Sequence, residues 1–247
     1  MKAQKDIFYR DDCALDVYLP DSADYETIVY FHGGGMEHGD KGGKCEQVGA
    51  DFVNAGYAFV SVNYRLYPNA KFPDYLYDVA QAVAYVKKNV GGKKLYVSGS
   101  SAGGWLATML CMNSEYLQSV GVQNADIDGW IIDSSQMTSH FNVQRFETGK
   151  DARLQRIDEY APLYFVNENT AFSKMLLIFY ENDMPCRYEQ NMLFYKAVLY
   201  FNKDVDICYC VLKGGHCAGV SKRGDDGEFS FVQTVLTWLK GERKWML

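Results

Sequence analysis

Continuous apolar segments alternate with segments of helical periodicity along most of this chain, and this alternation constrains the fold more than any other feature. Apolar residues at consecutive positions are typical of strands buried on both faces of a parallel sheet. Such segments occur at 27–32, 58–64, 94–99, 129–133, 175–180 and 206–212, and a more amphipathic one at 14–19. Helices are predicted at 72–89, from Ala102 onward, and at 229–240. The pattern predicts an α/β protein whose mostly parallel sheet is covered by helices on both faces.

The connection at 134–173 departs from this alternation, because it is long and mixed in character and contains no clear strand. Long connections in compact domains are usually functional, so we expect a small lid or cap element here. A chain of 247 residues suits one α/β domain. We therefore predict a single catalytic domain over residues 1–247 with a lid insertion at 134–173.

Charge and composition argue against several kinds of partner. The net charge is −6 and the basic residues are scattered, which argues against nucleic acid. No apolar segment approaches the roughly 18 residues of a membrane span, and the first residues lack the apolar core of an export signal. We expect a soluble, cytoplasmic protein that does not bind membranes, and the sequence leaves a homo-oligomer open. The seven cysteines are expected as reduced thiols, and one residue between Cys208 and Cys210 suits zinc poorly, so no metal is predicted.

A nucleophile motif lies at 99–103, where the sequence is Gly-Ser-Ser-Ala-Gly. It follows a predicted strand and precedes a predicted helix, which is the context that a G-x-S-x-G nucleophile elbow requires. Alone, such a motif arises by chance in roughly one chain in ten of this size. Its context makes Ser101 the candidate nucleophile.

A run of three glycines, Gly33 to Gly35, follows His32 at the end of another predicted strand. Glycines leave their backbone N–H groups unobstructed, which an oxyanion hole requires when an acyl group is transferred. His32 is expected to play a structural part by holding the loop through hydrogen bonds. The other two histidines outside the candidate site, His38 and His140, are expected at the surface or at the rim of a cleft.

A candidate acid and a candidate base come later in the chain. Asp183 follows the strand at 175–180, and His216 lies in a Gly-Gly-His loop after the strand at 206–212. The order Ser, Asp, His is that of hydrolases built on α/β sheets. Asp133 is a rival acid because it also ends an apolar strand. We prefer Asp183, since Asn-Asp-Met-Pro at 182–185 supplies turn chemistry after the strand.

Together these motifs resemble the hormone-sensitive-lipase-like esterase family of α/β hydrolases, from about residue 13 to the end of the chain. The resemblance implies that Ser101 is the nucleophile, His216 the base and Asp183 the orienting acid, and that no cofactor is needed. It also implies an oxyanion hole formed by the N–H groups of Gly34, Gly35 and Ala102, and a structural role for Asp78. The residues that carry it are His32-Gly33-Gly34-Gly35, Asn63-Tyr64-Arg65-Leu66-Tyr67-Pro68, Gly99-Ser100-Ser101-Ala102-Gly103-Gly104, Asp183 and Gly215-His216.

Three departures from the family pattern bear on the substrate. Ser100 stands where the family usually has an acidic residue before the nucleophile, and Met36 stands where a Trp often follows the glycines. Only about a dozen residues precede the first predicted strand, which leaves no room for an N-terminal helical cap. We therefore expect an open site shaped mainly by residues 134–173.

An open cleft in a chain with 19 Tyr and 14 Phe suits small acyl groups on bulky polar alcohols. The short family members that this chain resembles are acetyl esterases and acetyl-xylan or feruloyl esterases. Our leading hypothesis is therefore an esterase that removes acetyl-type groups from sugars or oligosaccharides. Two alternatives stay open, an arylformamidase acting on N-formylkynurenine and a catalytically inactive binding module. Acyl length, alcohol identity and the roles of Cys186 and Cys217 are not predicted.

Overall fold

The computed structural model describes residues 1–150 and 155–242. Among these residues, eight strands form one sheet in the order β1-β2-β4-β3-β5-β6-β7-β8. The strands β3 to β8 run parallel, whereas β2 pairs with β1 and β4 in antiparallel fashion. The strands are β1 (Lys2–Arg10), β2 (Cys13–Leu19), β3 (Thr27–Phe31), β4 (Ala58–Val62), β5 (Leu95–Ser100), β6 (Gly129–Asp133), β7 (Met175–Asn182) and β8 (Ile207–Gly215).

Helices occupy the connections between the strands. Two short 3₁₀ segments, Asn124–Asp126 and Pro162–Phe165, accompany them. The α-helices are α1 (Lys44–Asn54), α2 (Asp74–Asn89), α3 (Ala102–Met112), α4 (Glu115–Gln118), α5 (Phe141–Thr148), α6 (Arg187–Phe201), α7 (Ala218–Ser221) and α8 (Ser230–Leu239).

Both faces of the sheet are buried, which explains why its strands are continuously apolar. Along β3, Ile28 and Tyr30 pack into one hydrophobic cluster, while Val29 and Phe31 pack into the other. The helices α1 and α8 contribute to the first cluster, and α2, α3 and α6 contribute to the second. Side chains alternate across a strand, so an apolar residue at every position fills both clusters. The predicted fold class is confirmed.

The predicted elements agree with the structure, but the sequence did not predict β1, the helices α1 and α6, or the shorter helices α4, α5 and α7. The strand expected first, at 14–19, is the second strand, because β1 precedes it as an exposed edge strand. The residues before that expected first strand thus form part of the sheet. The strand at 206–212 extends to Gly215.

The long connection after β6 begins as buried irregular chain and continues into α5 and the 3₁₀ turn Pro162–Phe165. Its described residues contain no strand, as the sequence predicts. The lid prediction for 134–173 includes residues 151–154, which lie outside the described residues. Trp105 of α3 donates a hydrogen bond of 3.0 Å from Nε1 to the Tyr160 carbonyl, which fixes the connection over the sheet.

Asp78 of α2 is completely buried and holds the edge of the molecule together. Arg65, in the loop after β4, donates to its carboxylate from Nε and Nη2, each at 2.8 Å, and Arg10 of β1 also donates to it. A buried carboxylate without partners would be costly, and two guanidinium groups compensate its charge. The structural role implied for Asp78 agrees with these contacts.

None of the helices within the described ranges combines the length and the apolar character needed to cross a membrane.

Candidate active site

The carboxyl ends of the parallel strands bring the candidate residues to one edge of the sheet. The glycine loop follows β3, Ser101 follows β5, Asp183 follows β7, and His216 follows β8. In open α/β sheets this edge is where ligands bind, because the loops there diverge and leave a crevice. The site is therefore assembled from four loops that the sheet holds in register.

Ser101 sits at a sharp turn between β5 and α3 with φ 55° and ψ −115°, a conformation that side-chain-bearing residues rarely adopt. Such strain costs about 1–3 kcal/mol and persists only where the surrounding structure enforces it. Here the Ser101 N–H donates to the Asp133 carbonyl at 2.8 Å. A Cβ at Gly103 would lie 2.0 Å from the Phe31 carbonyl oxygen, so only glycine lets α3 approach β3 this closely. The motif spacing thus has a steric cause.

One hydrogen-bonded chain joins the three predicted side chains. His216 Nε2 lies 2.8 Å from Ser101 Oγ, and His216 Nδ1 lies 2.5 Å from Asp183 Oδ1. The carboxylate fixes the tautomer with the proton on Nδ1, which leaves Nε2 free to accept the serine proton. The structure therefore places the imidazole within hydrogen-bonding distance of the serine hydroxyl, and the carboxylate within hydrogen-bonding distance of the imidazole.

Asp183 has the surroundings of a permanent anion. Burial alone would raise its pKa, but the hydrogen bond to His216 and its charge oppose that effect, as do hydrogen bonds from the Met184 N–H and Ser134 Oγ. The balance holds the pKa of Asp183 below its ordinary value. An ionised Asp183 can stabilise a positive charge on His216.

The glycine loop is held from both sides. His32 is buried, its Nδ1 lies 2.7 Å from the Gly33 carbonyl, and its ring stacks on Tyr64 with 4.5 Å between centroids. On the other side, Asn142 of α5 donates from Nδ2 to the Gly35 carbonyl at 2.6 Å. The structural part predicted for His32 agrees with these contacts.

Gly34 has φ 116°, and a Cβ there would lie 2.0 Å from the His38 carbonyl oxygen, so the loop requires glycine at this position. Gly33 and Gly34 line the same cavity as Ser101 and His216. Ala102 is the first residue of α3, where backbone N–H groups have no acceptor within the helix. Gly35 lies next to this cavity, although it is not part of the lining.

Asp133, the rival acid, makes no hydrogen bond to His216 among the described contacts. Its two carboxylate oxygens accept from Ser100 Oγ at 2.5 Å and from Tyr180 Oη at 3.0 Å. Ser100 in turn accepts from Tyr30 at 2.8 Å. Burial raises the pKa of Asp133 to about 7, against the effect of the two hydrogen bonds. The residue that replaces the family's usual acid, Ser100, thus points its hydroxyl at a carboxylate from the neighbouring strand.

The prediction for His140 was wrong, whereas His38 is exposed as expected. His140 is buried, and its ring stacks on Phe141 with 4.7 Å between centroids. Burial lowers its pKa to about 3, and the charges of Arg187 and His216 act in the same direction. His140 is therefore a neutral group that forms part of the packing behind the site.

One pocket contains Ser101 and His216, and a second begins at Met184, the residue directly after Asp183. The first, of about 420 Å³, contains both side chains and extends towards α1 and α7. It is lined by Tyr30, Lys44, Cys45, Val48, Val220 and Ser221 in addition to the glycine loop. The second, of about 280 Å³, lies between the 134–173 connection and the start of α6. Cys186 is exposed in this second pocket, whereas Cys217 is mostly buried, and burial raises its pKa well above the ordinary thiol value.

Sequence reasoning did not find Ser134, Tyr180 and Arg187. Ser134 donates to Asp183, Tyr180 donates to Asp133, and Arg187 lines the second pocket. Ser134 could have been suspected, since it directly follows a strand at the same sheet edge as the site. Tyr180 lies inside an apolar strand and Arg187 begins a helix without a clear apolar stripe, so neither carried a signal.

This arrangement defines an α/β hydrolase, as the resemblance to hormone-sensitive-lipase-like esterases predicts. Its sheet, its elbow and the order of its loops after β3, β5, β7 and β8 are those of that fold. The family model described as BD-FAE matches residues 15–198, and the chain belongs to that family.

Similar proteins include esterase LipI of Mycobacterium tuberculosis, 36% identical over 105 residues that make up 38% of this chain and 31% of LipI. The kynurenine formamidase avaC of Aspergillus versicolor is 31% identical over 121 residues, 42% of each chain. The match thus spans about a third of LipI and less than half of avaC. Among solved structures, esterase B from Lactobacillus rhamnosis superposes with a TM-score of 0.75 at 19% identity, over 99% of this chain and 84% of that one. That structural likeness concerns the fold.

Proposed function

We propose that this protein is a serine hydrolase that cleaves small carboxylic esters through an acyl-enzyme. The observation that carries the proposal is the hydrogen-bonded chain from Ser101 Oγ through His216 to Asp183, with distances of 2.8 and 2.5 Å. A nucleophile, a base within reach of it and a group that orients the base are the three parts that covalent acyl transfer requires.

In the proposed mechanism His216 Nε2 takes the Ser101 proton as Oγ attacks the ester carbonyl. The N–H groups of Gly34, Gly35 and Ala102 stabilise the negative charge that forms on the carbonyl oxygen. When the intermediate collapses, the bond to the alcohol breaks and His216 gives its proton to the departing oxygen. Water then attacks the acyl-enzyme with the same assistance, releasing the carboxylic acid and restoring Ser101. No cofactor takes part in these steps.

The substrate that we propose is an acetyl-type ester of a sugar or oligosaccharide. Ser101 opens into the pocket of about 420 Å³, and a second pocket begins at Met184, directly after Asp183, which suits a substrate with two halves. The similarity to esterase LipI supports an ester rather than another acyl compound.

An arylformamidase is the second candidate, favoured by the similarity to the kynurenine formamidase avaC. The same nucleophile and base can open a formamide, because the carbonyl chemistry is shared and only the leaving group differs. Rates with acetylated xylobiose and with N-formylkynurenine, measured on one preparation, separate the two candidates. Faster turnover of N-formylkynurenine would replace the ester proposal with the formamidase.

The decisive variant is Ser101→Ala. We expect kcat to fall by about 10⁴- to 10⁶-fold on nitrophenyl acetate, because the nucleophile is lost while the fold is kept. A series of nitrophenyl esters of increasing chain length gives the acyl preference of the wild type. Labelling by a fluorophosphonate probe should occur in the wild type and be absent in the variant. Near-normal turnover by Ser101→Ala would refute the assignment, and an unlabelled wild type would indicate an inactive binding module.

A further inference from the structure

The second pocket, which we call the α6 pocket, continues the site on the side of Asp183. It is about 280 Å³ in volume. At one end it reaches the glycine loop, because the Phe141 ring lies 3.8 Å from where a Cβ of Gly35 would be. At the other end it is closed by the chain that directly follows Asp183. Its lining includes Gln136, Phe141, Gln155, Met184, Arg187 and Gln190.

Arg187 is an unusual lining residue, because its side chain is charged and only 3% of the residue is exposed. The only hydrogen bond of its side chain within the described part of the chain is a weak one from Nη2 to the Met184 sulfur, at 3.5 Å. Its Nε is buried and has no partner there. A guanidinium group offers five N–H donors, and burying it without acceptors costs free energy. Burial accordingly lowers the pKa of Arg187.

Among the residues that the structure describes, no carboxylate forms an ion pair with this guanidinium group. Asp183 attracts it electrostatically, but both Asp183 oxygens already accept hydrogen bonds from His216, Met184 and Ser134. Glu189, on the first turn of α6, is exposed to solvent. The pocket therefore contains a buried cation whose donors are left for a bound molecule.

The backbone of α6 adds to the positive electrostatic potential in the pocket. Helix α6 is fifteen residues long and begins at Arg187, so its positive end lies at the pocket wall. Its N-cap, Cys186, makes no side-chain capping bond. The Arg187 N–H already donates to the Met184 carbonyl at 3.0 Å. The N–H groups that follow it in the first turn favour an anion, and they act here together with the guanidinium. The neutral His140 behind the site adds no competing cation.

The amide side chains of the pocket hold it in shape. Gln190 Oε1 accepts from the Met137 N–H at 2.8 Å and its Nε2 donates to Gln155 Oε1 at 3.3 Å. Gln136 Nε2 donates to the Ser139 carbonyl at 2.8 Å. The buried amides of Gln136 and Gln190 are thus committed to the protein, and they fix the walls around Arg187.

We propose that the α6 pocket binds a carboxylate carried by the substrate, held by Arg187 and the start of α6, in the half of the molecule that leaves as the alcohol or amine. This proposal rests on the proposed function. A planar carboxylate matches the guanidinium fork, which can donate two parallel hydrogen bonds to it. An acidic sugar such as a uronate and an amino acid such as kynurenine both carry such a group. The substrate class is therefore an anionic ester or amide.

The test compares two esters that differ only in charge, 4-acetoxybenzoate and its methyl ester. We expect the wild type to have a kcat/KM about 10- to 100-fold higher for the carboxylate, mainly through KM, as for a charge-assisted hydrogen bond. Arg187→Met should bring this ratio to about 1 and leave the methyl ester within about threefold. Arg223→Met is the matched control, since Arg223 is an exposed arginine paired with Asp51, and it should keep the wild-type ratio.

Equal loss on both esters in Arg187→Met would show that Arg187 is merely structural and would overturn the proposal. If that variant does not fold, Arg187→Lys keeps the charge and Arg187→Gln removes it, and only Arg187→Gln should lose the preference. Pairs of an acetylated uronate with its methyl ester, and of N-formylkynurenine with its methyl ester, show which natural carboxylate is preferred.

Failure of the proposed function is distinguishable from failure of this inference. If the wild type hydrolyses neither acetoxybenzoate and no fluorophosphonate labels it, the hydrolase proposal fails. The pocket is then tested by calorimetry with 4-hydroxybenzoate alone. Binding by the wild type and by Arg223→Met, with at least tenfold weaker binding by Arg187→Met, supports the carboxylate subsite. Equal binding by all three proteins, or no binding by the wild type, overturns it.

Discussion

Asp133 and Asp183 end neighbouring strands of one sheet, yet they have opposite surroundings. Asp133 is the last residue of β6, pairs in register with Ser100 and is completely buried. Asp183 lies one residue beyond β7, whose last two residues, Glu181 and Asn182, are exposed. Burial raises the pKa of the first to about 7, while hydrogen bonds hold the pKa of the second below its ordinary value.

The difference follows from strand length, because β7 continues four residues, from Phe179 to Asn182, beyond the residue that pairs with Asp133. By carrying the chain past the buried part of the sheet, β7 places a carboxylate where it reaches the His216 ring. Asp133 ends its strand earlier, so its side chain meets the hydroxyl groups of Ser100 and Tyr180 in the interior. One carboxylate is thus suited to remain ionised during catalysis, and the other is suited to gain and lose a proton near neutral pH.

Replacing each carboxylate by an amide should give the largest difference between the two residues, and that difference is in kcat. In Asp183→Asn the amide cannot hold His216 in the required tautomer, so we expect kcat to fall by about 10³- to 10⁴-fold with little change in KM. Steady-state hydrolysis of nitrophenyl acetate at pH 8 measures this effect.

The matched control is Asp133→Asn, the same substitution on the adjacent strand. Its kcat should stay within about tenfold of the wild type, since Asp133 does not contact the His216 ring. Similar losses in both variants would mean that the two carboxylates act as one unit, contrary to the geometry.

The pH dependence of the free energy of unfolding should give the second-largest difference between the two residues. Between the ordinary carboxyl pKa and about 7, folded Asp133 holds a proton that the unfolded chain has lost, so the free energy of unfolding falls as pH rises through this window. Asparagine resembles the protonated acid. From pH 5 to pH 8, Asp133→Asn should therefore gain on the order of 2 kcal/mol relative to the wild type. Urea unfolding at several pH values measures the difference.

Asp183→Asn gives the opposite case in the same experiment. Because the pKa of Asp183 is lowered, its ionisation stabilises the fold above the ordinary carboxyl pKa, and this contribution is lost only as pH falls below that value. The Asp183 carboxyl itself should therefore add no pH dependence to the stability difference between pH 5 and pH 8, and any change there reports the lost charge pair with His216. A constant difference for Asp133→Asn would show that Asp133 is ionised throughout that range.

A smaller effect is expected from Ser134→Ala. Ser134 Oγ donates to Asp183 at 3.0 Å and accepts from the Cys217 N–H at 3.1 Å, so it links the acid loop to the base loop. Its loss should lower kcat about three- to tenfold and move the pKa of Asp183 towards its ordinary value. Nitrophenyl acetate kinetics against pH test this, with Ser135→Ala as the control. An unchanged profile would show that the Ser134 hydroxyl does not hold Asp183.

Much of the fold was predictable because both faces of the sheet are buried. Consecutive apolar residues such as Val29 and Tyr30 are needed to fill two clusters, so the parallel strands are visible in the sequence. The edge strand β1 lacks this signal because it is largely exposed. Helix α6 was missed for a related reason, since large apolar residues such as Leu193 and Tyr200 lie exposed and obscure the buried stripe.

For the candidate site, position along the chain indicated Ser101, Asp183 and His216, because loops after parallel strands meet at one edge. Burial was not predictable in the same way. His140 was expected at the surface, yet it lies under Phe141, which a long connection without periodic pattern does not reveal. Apolar patterning does not define the last residue of β6, so the sequence did not show that the Asp133 side chain faces the interior.

The close approach of α3 to β3 at Gly103 has a consequence for how such a protein can diversify. A single added methyl group there would collide with the Phe31 carbonyl, so even alanine cannot replace glycine at this position of the elbow. The walls of the α6 pocket come instead from the connection after β6 and from the residues after Asp183. Selection can therefore change those walls one residue at a time, while the elbow that carries Ser101 is inherited unchanged.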